Sequence, residues 1–163
     1  MPSVTLAHAL LAALAVALLV AAFTDLKSRR IGNRLNAVIA LAAPAFWWAC
    51  GLALWPDIAL QLGVALACFG ICTALFAIGA MGGGDVKLLT ALALWIAPGL
   101  FFKMVVLMAL LGGLLAVVLG AWKIARRKGD KLTIPYGVAI ALAALWVIGV
   151  DYLPAQGDAG ILG

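Results

Sequence analysis

The acidic residues are the side chains of this sequence with the clearest capacity for chemistry. All six are aspartates, and two of them, Asp25 and Asp85, stand where an apolar segment meets a polar one. Each is followed two residues later by a lysine, Lys27 or Lys87. Two carboxyl groups that face each other share a proton, so that one can take a proton from water while the other donates one to a carbonyl oxygen. The pair therefore predicts acid–base chemistry of the aspartic-protease type.

Glycines 82–84 come immediately before Asp85. Glycine lets a backbone adopt positive φ and approach an extended peptide closely, so the run predicts a loop that presents Asp85. In the alternative interpretation, Asp85 is only the N-cap of the next helix and the glycines form a flexible turn. Asp25 has an alternative too, as the end of a membrane span that pairs with Lys27 or Arg29 at the headgroups. The residues alone leave both alternatives open.

Long apolar segments must position these acids. Of the 163 residues, 67% are hydrophobic and 10% are charged, whereas soluble domains have about 45–50% and about 25%. A bilayer solvates so much apolar surface, and within it only helices and closed barrels satisfy the backbone. Because the apolar runs are continuous and do not alternate, the sequence predicts an all-α, polytopic membrane helix bundle that forms a single domain over residues 1–163.

Six transmembrane helices are predicted, because about 20 apolar residues cross a bilayer. They cover residues 4–23, 36–54, 58–80, 86–97, 100–122 and 132–152. Residues 55–57 and 97–99 contain prolines that mark tight turns, and residues 25–34 and 123–131 are predicted to be polar loops. With ~1.5 Å per residue, the short fourth helix cannot cross a core of ~30 Å, so its start is expected in a recess that water reaches.

The basic residues indicate the orientation of the chain. In this topology every lysine and arginine except Lys103 falls on one side, which the positive-inside rule assigns to the cytoplasm, and the N-terminus then lies outside. These inner residues are Lys27, Arg29, Arg30, Arg34, Lys87, Lys123, Arg126, Arg127, Lys128 and Lys131. The run at 126–128 is attributed to attraction by anionic lipid headgroups, and no nucleic-acid partner is expected. The first span lacks basic residues before its apolar run, so a cleavable signal peptide is not predicted.

Three short motifs resemble those of type IV prepilin peptidases. Residues 25–33, which read Asp-Leu-Lys-Ser-Arg-Arg-Ile-Gly-Asn, resemble that family's D-x-R/K-x-x-R-I-P-N element, with Gly32 in place of the proline. Residues 82–88 are similar to its G-x-G-D-x-K-L element. Residues 134–137, Ile-Pro-Tyr-Gly, are similar to the P-[YF]-G element that opens the family's last helix. The motifs occur in the family's order, each at the cytoplasmic end of a predicted span.

The resemblance implies an intramembrane aspartyl peptidase that removes the leader peptide of prepilins at the cytoplasmic face of the bacterial inner membrane. It implies Asp25 and Asp85 as the catalytic pair, with no metal or cofactor. Its supporting residues are Gly82, Gly83, Gly84, Lys27, Arg30, Asn33, Lys87, Pro135, Tyr136 and Gly137. The partners are the prepilin, membrane lipid and other pilus-assembly proteins. The chain lacks the cytoplasmic insertion of the larger members and resembles the minimal tight-adherence (Flp) form, so cleavage without methylation is expected.

The cysteines and tryptophans are given structural roles. Cys50, Cys68 and Cys72 lie in apolar spans, and a zinc site wants four ligands. Because His8 lies at the other end of the first span, the cysteines are predicted to be small apolar packing. The tryptophans are predicted to lie mostly toward the span ends, as interfacial belts do. They are Trp47, Trp48, Trp55, Trp95, Trp122 and Trp146.

Two functions from other classes compete with a peptidase. A small transporter needs polar groups near the midplane of the membrane, but Gln61 and Thr73 are the main polar side chains within the spans. A non-catalytic scaffold for an assembly machine would pack against other helices through small residues such as Gly112, Gly113 and Gly120. Cleavage of a leader peptide by the purified protein distinguishes a peptidase from both.

Overall fold

The computed structural model describes residues 4–125 and 136–153, which form six α-helices and no strand within those ranges. The helices are α1 (Val4–Ser28), α2 (Asn33–Cys50), α3 (Ala59–Ala77), α4 (Gly83–Ala93), α5 (Pro98–Ala125) and α6 (Tyr136–Val147). Two π-helical turns, Leu54–Ile58 and Ile148–Tyr152, precede α3 and extend α6. The predicted all-α class is confirmed.

Three of the described helical segments are long and apolar enough to cross a membrane. They are Val4–Ser28, Leu54–Ala77 and Pro98–Trp122, and Tyr136–Tyr152 is a shorter apolar segment. Their outer faces carry large apolar side chains that the protein does not cover; Leu66, Phe102 and Val117 are each at least 70% exposed. Such a surface is stable in lipid and not in water. The chain is therefore an integral membrane protein, and the count of six spans stays a prediction.

The predicted polar loops at 25–34 and 123–131 are too long. Helix α1 continues to Ser28, and the side chain of Ser28 bonds back to the carbonyl of Thr24 within the helix. Helix α5 likewise continues to Ala125. The loop after α1 is only residues 29–32. The backbone hydrogen bonds of a helix can continue past the point where its side chains become polar, so polarity alone ended the helix too early. Asp25 thus stands on a helix and not in a loop.

Helix α6 is largely buried and contacts α1, α4 and α5. Small side chains make this close approach possible, since they let helix backbones come together without large residues between them. Ala139, Ala141, Ala143 and Ala144 are all fully buried. On the neighbouring helix α5, Gly112 faces the ring of Tyr136, which begins α6. A Cβ at Gly112 would lie 3.1 Å from that ring, so the glycine lets α5 and the start of α6 meet.

Helix α4 ends at Ala93, after 11 residues, and its C-terminal end lies inside the bundle. Backbone carbonyls there have no water or lipid partner and need donors from the protein. Trp47 donates to the carbonyl of Leu94 at 2.6 Å, and Gln61 donates to that of Ile96 at 2.9 Å. These donors come from α2 and α3, so they join the end of α4 to two other helices.

Tyr152 and Trp95 complete this arrangement. The hydroxyl of Tyr152 accepts a hydrogen bond from the backbone N–H of Ala97 at 2.7 Å. Trp95 is 3% exposed, stacks on Phe46 with ring centroids 5.0 Å apart, and donates to the carbonyl of Ile39. Trp95 lies just past the end of α4, but it faces the bundle and not the lipid, because its indole N–H has a partner inside the protein.

The hydrogen bond that Gln61 donates to the Ile96 carbonyl is expected to contribute measurably to stability. Gln61→Leu removes a buried hydrogen bond to Ile96 and is expected to lower the free energy of unfolding by about 1–3 kcal/mol. Thermal unfolding of the purified protein in detergent measures the change. Thr73→Val is the matched control, because Thr73 lies on the same helix with an exposed side chain. Equal stabilities for the two variants would contradict this role of Gln61.

Candidate active site

Asp25 lies in the last turns of α1 and is 7% exposed. The backbone N–H groups of Gly137 and Val138, in the first turn of α6, interact with its carboxylate. A helix N-terminus has free N–H groups and a positive partial charge, so it suits a buried carboxylate. Among the residues that the structure describes, Oδ2 of Asp25 has no hydrogen-bond partner. That oxygen is itself buried, so Asp25 carries an unpaired acceptor inside the described helix bundle.

The chain turns sharply immediately after Asp25. Arg29 has a φ of 54°, a left-handed conformation, and its N–H donates to the carbonyl of Asp25 at 2.9 Å. Glycine is the usual residue at such a helix end, because a side chain is strained there. The Arg29 side chain interacts electrostatically with Asp25. Of the two pairings considered for Asp25, the one with Arg29 is therefore present, and the carboxylate it involves is buried in the protein.

Asp85 stands in the first turn of α4, two residues after the helix begins at Gly83. The N-cap is Gly82, so the interpretation of Asp85 as the N-cap is wrong. The N–H of Gly82 instead donates to the Asp85 carboxylate, as in the side-chain half of a capping box. The predicted glycine loop is also shorter than expected, since Gly83 and Gly84 are helical. They are helical because the Gly82 carbonyl already accepts from the N–H groups of Asp85 and Val86.

The two aspartates line the same cleft, which has a volume of about 460 Å³. Their charges interact across it. The cleft is lined by Asp25, Arg29, Arg30, Ile31, Gly32, Asn33, Gly82, Gly83, Gly84 and Asp85. Asp25 is buried and Asp85 is partly exposed, so the two carboxyl groups differ in their access to water. That difference suits a pair in which one group holds a proton and the other does not.

Ile31 is a site residue that was not singled out from the sequence, because its side chain is apolar and carries no reactive group. It is 7% exposed and packs between two glycines. A Cβ at Gly84 would lie 3.3 Å from Cβ of Ile31, and one at Gly137 would lie 2.8 Å from its Cδ1. Ile31 therefore fills the space between the starts of α4 and α6, which carry the groups around Asp85 and Asp25. The sequence signal was its place in the first motif.

The predicted supporting residues have different positions. Arg30 and Asn33 line the cleft, and Nζ of Lys87 donates to Oδ1 of Asn33 at 2.9 Å. Lys27 is exposed and is not among the lining residues. Tyr136 packs on Gly112 and does not line the cleft. Gly137 faces Asp25 directly. Pro135, Asp130 and the basic residues 126–128 and 131 lie outside the described residues.

The cysteines lie away from the cleft. The sulfur atoms of Cys68 and Cys72 are 3.8 Å apart on one face of α3, as the four-residue spacing predicts. Cys50 lies at the end of α2, near Tyr152. In the described ranges, no three histidine, cysteine or aspartate side chains come together as a metal site would need. The absence of a metal from the site stays a prediction.

The described helices form a membrane bundle in which two aspartates line one cleft. The sequence model of the type IV leader peptidase family matches residues 12–121, and the chain belongs to that family. Membership implies peptidase activity. The match contains the motifs around Asp25 and Asp85 and ends before Tyr136. No curated protein and no solved structure gives a significant match to this chain.

The glycine beside Asp25 gives a prediction about activity. A Cβ at Gly137 would lie 2.8 Å from Oδ2 of Asp25 and must displace that carboxyl group. Gly137→Ala is therefore expected to lower the cleavage rate by ~100-fold, the order of loss that accompanies a 1 Å misplacement. Gly63→Ala is the control, because a Cβ at Gly63 meets no atom within 4 Å. A Gly137→Ala protein as active as Gly63→Ala would show that the space beside Asp25 is not needed.

Proposed function

We propose that this protein is an aspartic endopeptidase that removes the leader peptide of prepilins. Asp25 and Asp85 are its catalytic pair, and no metal takes part. The observation that carries the proposal is the cleft that both carboxyl groups line, although they belong to helices that are far apart in the sequence. Membership in the type IV leader peptidase family supports the substrate class.

The hydrolytic step uses one water molecule and both carboxyl groups. The carboxylate of one aspartate takes a proton from the water, whose oxygen attacks the scissile carbonyl carbon. The protonated carboxyl of the other aspartate donates its proton to the carbonyl oxygen, giving a neutral tetrahedral intermediate. When the C–N bond breaks, a proton passes to the leaving nitrogen and the carbonyl forms again. The acyl product gains the hydroxyl group of the water and the amine product gains a hydrogen. The two aspartates return to their starting protonation.

The backbone around Gly82 supports an extended substrate at the cleft. Gly82 is exposed, and a Cβ there would lie 2.9 Å from Oδ2 of Asp85. A residue with a side chain would therefore cover the carboxyl group, whereas glycine leaves both the carboxyl group and its own backbone open to a peptide. The apolar segment of the prepilin would lie beside the helices in lipid. Its leader would extend past Gly82 on the cytoplasmic side.

We further propose that the whole chain is one domain with six transmembrane helices and the N-terminus outside, and that the cleft faces the cytoplasm. The basic residues near the cleft, Arg29, Arg30 and Lys87, support this orientation through the positive-inside rule. At the other end of the bundle, Lys103 and Asp151 form an ion pair of 2.8 Å.

This topology predicts the side on which the C-terminus lies. Six spans return the chain to the side where it began, which is outside the cytoplasm. A reporter enzyme that is active only outside the cytoplasm is therefore expected to be active when it is fused after Gly163. A fusion within residues 126–131 is the control and is expected to report the cytoplasmic side. A C-terminal reporter that is active in the cytoplasm would contradict the six-span topology.

Replacing either aspartate tests the catalytic pair. Asp25→Asn and Asp85→Asn are each expected to lower the cleavage rate by at least ~100-fold, because each removes a group that must gain or lose a proton. The measurement is cleavage of a full-length prepilin by the purified protein in detergent, followed by mass spectrometry of the new N-terminus. An unaltered rate in either variant would remove that residue from the pair.

Asp151→Asn is the matched control for this experiment. It makes the same chemical change on the ion pair with Lys103, away from the cleft, and is expected to retain the wild-type rate. Purified wild-type protein that leaves the prepilin intact would favour a non-catalytic scaffold. A transport function has little structural support, because the amide of Gln61 is already bonded to Ile96 and Thr73 is exposed.

A further inference from the structure

The first turn of α4 has little of its own to hold it in place. Its N-cap, Gly82, offers no side-chain hydrogen bond, and the next two residues are also glycines. Glycine has more backbone freedom than any other residue, so this turn loses more conformational entropy when it is ordered. Asp85 follows directly, and its carboxyl group can face Asp25 only if the turn is held. The bond from the Gly82 N–H to the Asp85 carboxylate and the packing of Ile31 on Gly84 restrain the turn in part, and a polar contact from outside α4 adds to them.

Asn36 makes that contact from the first turns of α2. Its Nδ2 donates to the carbonyl of Gly84 at 3.2 Å, across 48 residues of sequence. Asn36 is 4% exposed and Gly84 is half-buried, so water competes less for this bond than for one at the surface. Gly84 immediately precedes Asp85, and a hydrogen bond to its carbonyl restrains the peptide group that joins the two residues.

Asn36 contributes less to the free energy of unfolding than its hydrogen bond to Gly84 alone would suggest. Within the described part of the chain, its Oδ1 is buried and has no hydrogen-bond partner. An unpaired buried acceptor costs free energy, which offsets what the bond from Nδ2 contributes. An apolar residue of similar shape would remove both effects together. The net gain in stability from Asn36 is therefore expected to be small.

A second contact between the same two segments is of a different kind. Lys87 donates to Asn33 at 2.9 Å, but both side chains are exposed. Exposed contacts between long polar side chains contribute little, because water competes for them and the side chains lose freedom. Of the two polar contacts, the buried one from Asn36 is therefore the one that restrains the turn.

We propose that Asn36 is a positioning residue, which holds the Gly84 carbonyl and thereby sets the Asp85 carboxyl group against Asp25. The proposal rests on the proposed peptidase function for its effect on rate. Its structural part, the restraint of the glycine turn, is independent of the substrate. Asn36 does not line the cleft and acts on the reaction only through Gly84.

The test compares Asn36→Leu with Gln61→Leu. Both variants remove a buried amide that donates to a backbone carbonyl at or near one end of α4, Asn36 at the start and Gln61 after the end. Asn36→Leu is expected to lower kcat by about 10- to 100-fold with KM unchanged, because a misplaced carboxyl slows the chemical step. Its Tm is expected to stay within about 2 °C of wild type, since the unpaired Oδ1 is removed as well.

Gln61→Leu is expected to show the opposite pattern, a lower Tm with a wild-type kcat. If both variants lose kcat in proportion to Tm, Asn36 has only a structural role and the proposal is overturned. Asn36→Ala serves as a second variant should leucine not fit the site. An Asn36→Ala protein with wild-type kcat and KM overturns the proposal equally.

Amide hydrogen exchange separates this proposal from the proposed function. In Asn36→Leu, exchange in a peptide over residues 82–88 is expected to rise at least ~10-fold, as local opening becomes easier, with no change over residues 100–108. Unchanged exchange at 82–88 overturns the restraint whether or not the protein cleaves prepilin. Wild-type protein that cleaves no prepilin, with raised exchange in the variant, overturns the peptidase function and leaves the restraint supported.

Discussion

A helix that ends inside a membrane protein must have its last carbonyl groups satisfied by other parts of the chain. Helix α4 has this requirement because it stops at Ala93, after 11 residues. The carbonyls of Ala91 and Leu92 accept from the backbone of the turn that follows, at residues 94–96. The carbonyls of that turn accept in their place from three other segments, through Trp47, Gln61 and Tyr152. Each of these bonds joins the turn after α4 to another helical segment. The end of α4 is thereby held in the bundle, and its start can carry Asp85 to the cleft without crossing the whole membrane.

The cleft depends on a second constraint, which is space. Asp25 can be buried against the start of α6 because Gly137 has no side chain, and α4 can approach Ile31 because Gly84 has none. The carboxyl group of Asp25 then meets backbone N–H groups, which suit it as a buried acceptor. Gly82 leaves the backbone beside Asp85 open, whereas Gly84 and Gly137 let α4 and α6 approach Ile31 and Asp25 closely. Access to the cleft and close packing thus both require positions without a side chain.

Sequence patterns were most informative where the physics is local. Apolar runs predicted the helices, and prolines and glycines predicted breaks near 55–57 and 97–99. The turns lie slightly earlier, at 51–53 and 94–97, because Pro56 stands within the helical segment that leads into α3 and Pro98 is the first residue of α5. The same reasoning ended α1 too early at Phe23, because it followed side-chain polarity whereas the helix follows its backbone bonds to Ser28. It also assigned Trp95 to the interface. Nothing in the residues next to Trp95 shows that Ile39, on another helix, offers a carbonyl to its indole.

The amino-acid sequence by itself determined the class of molecule, since hydropathy and helical backbone bonding act over a few turns of chain. It also placed Asp25 and Asp85 at the ends of apolar segments, through motifs that can be read without any contact. Tertiary structure decided that the two carboxyl groups share a cleft, that Asn36 reaches Gly84, and that Gly137 faces Asp25. These facts depend on how helices distant in sequence pack together, and packing is set by the shapes of all their surfaces at once.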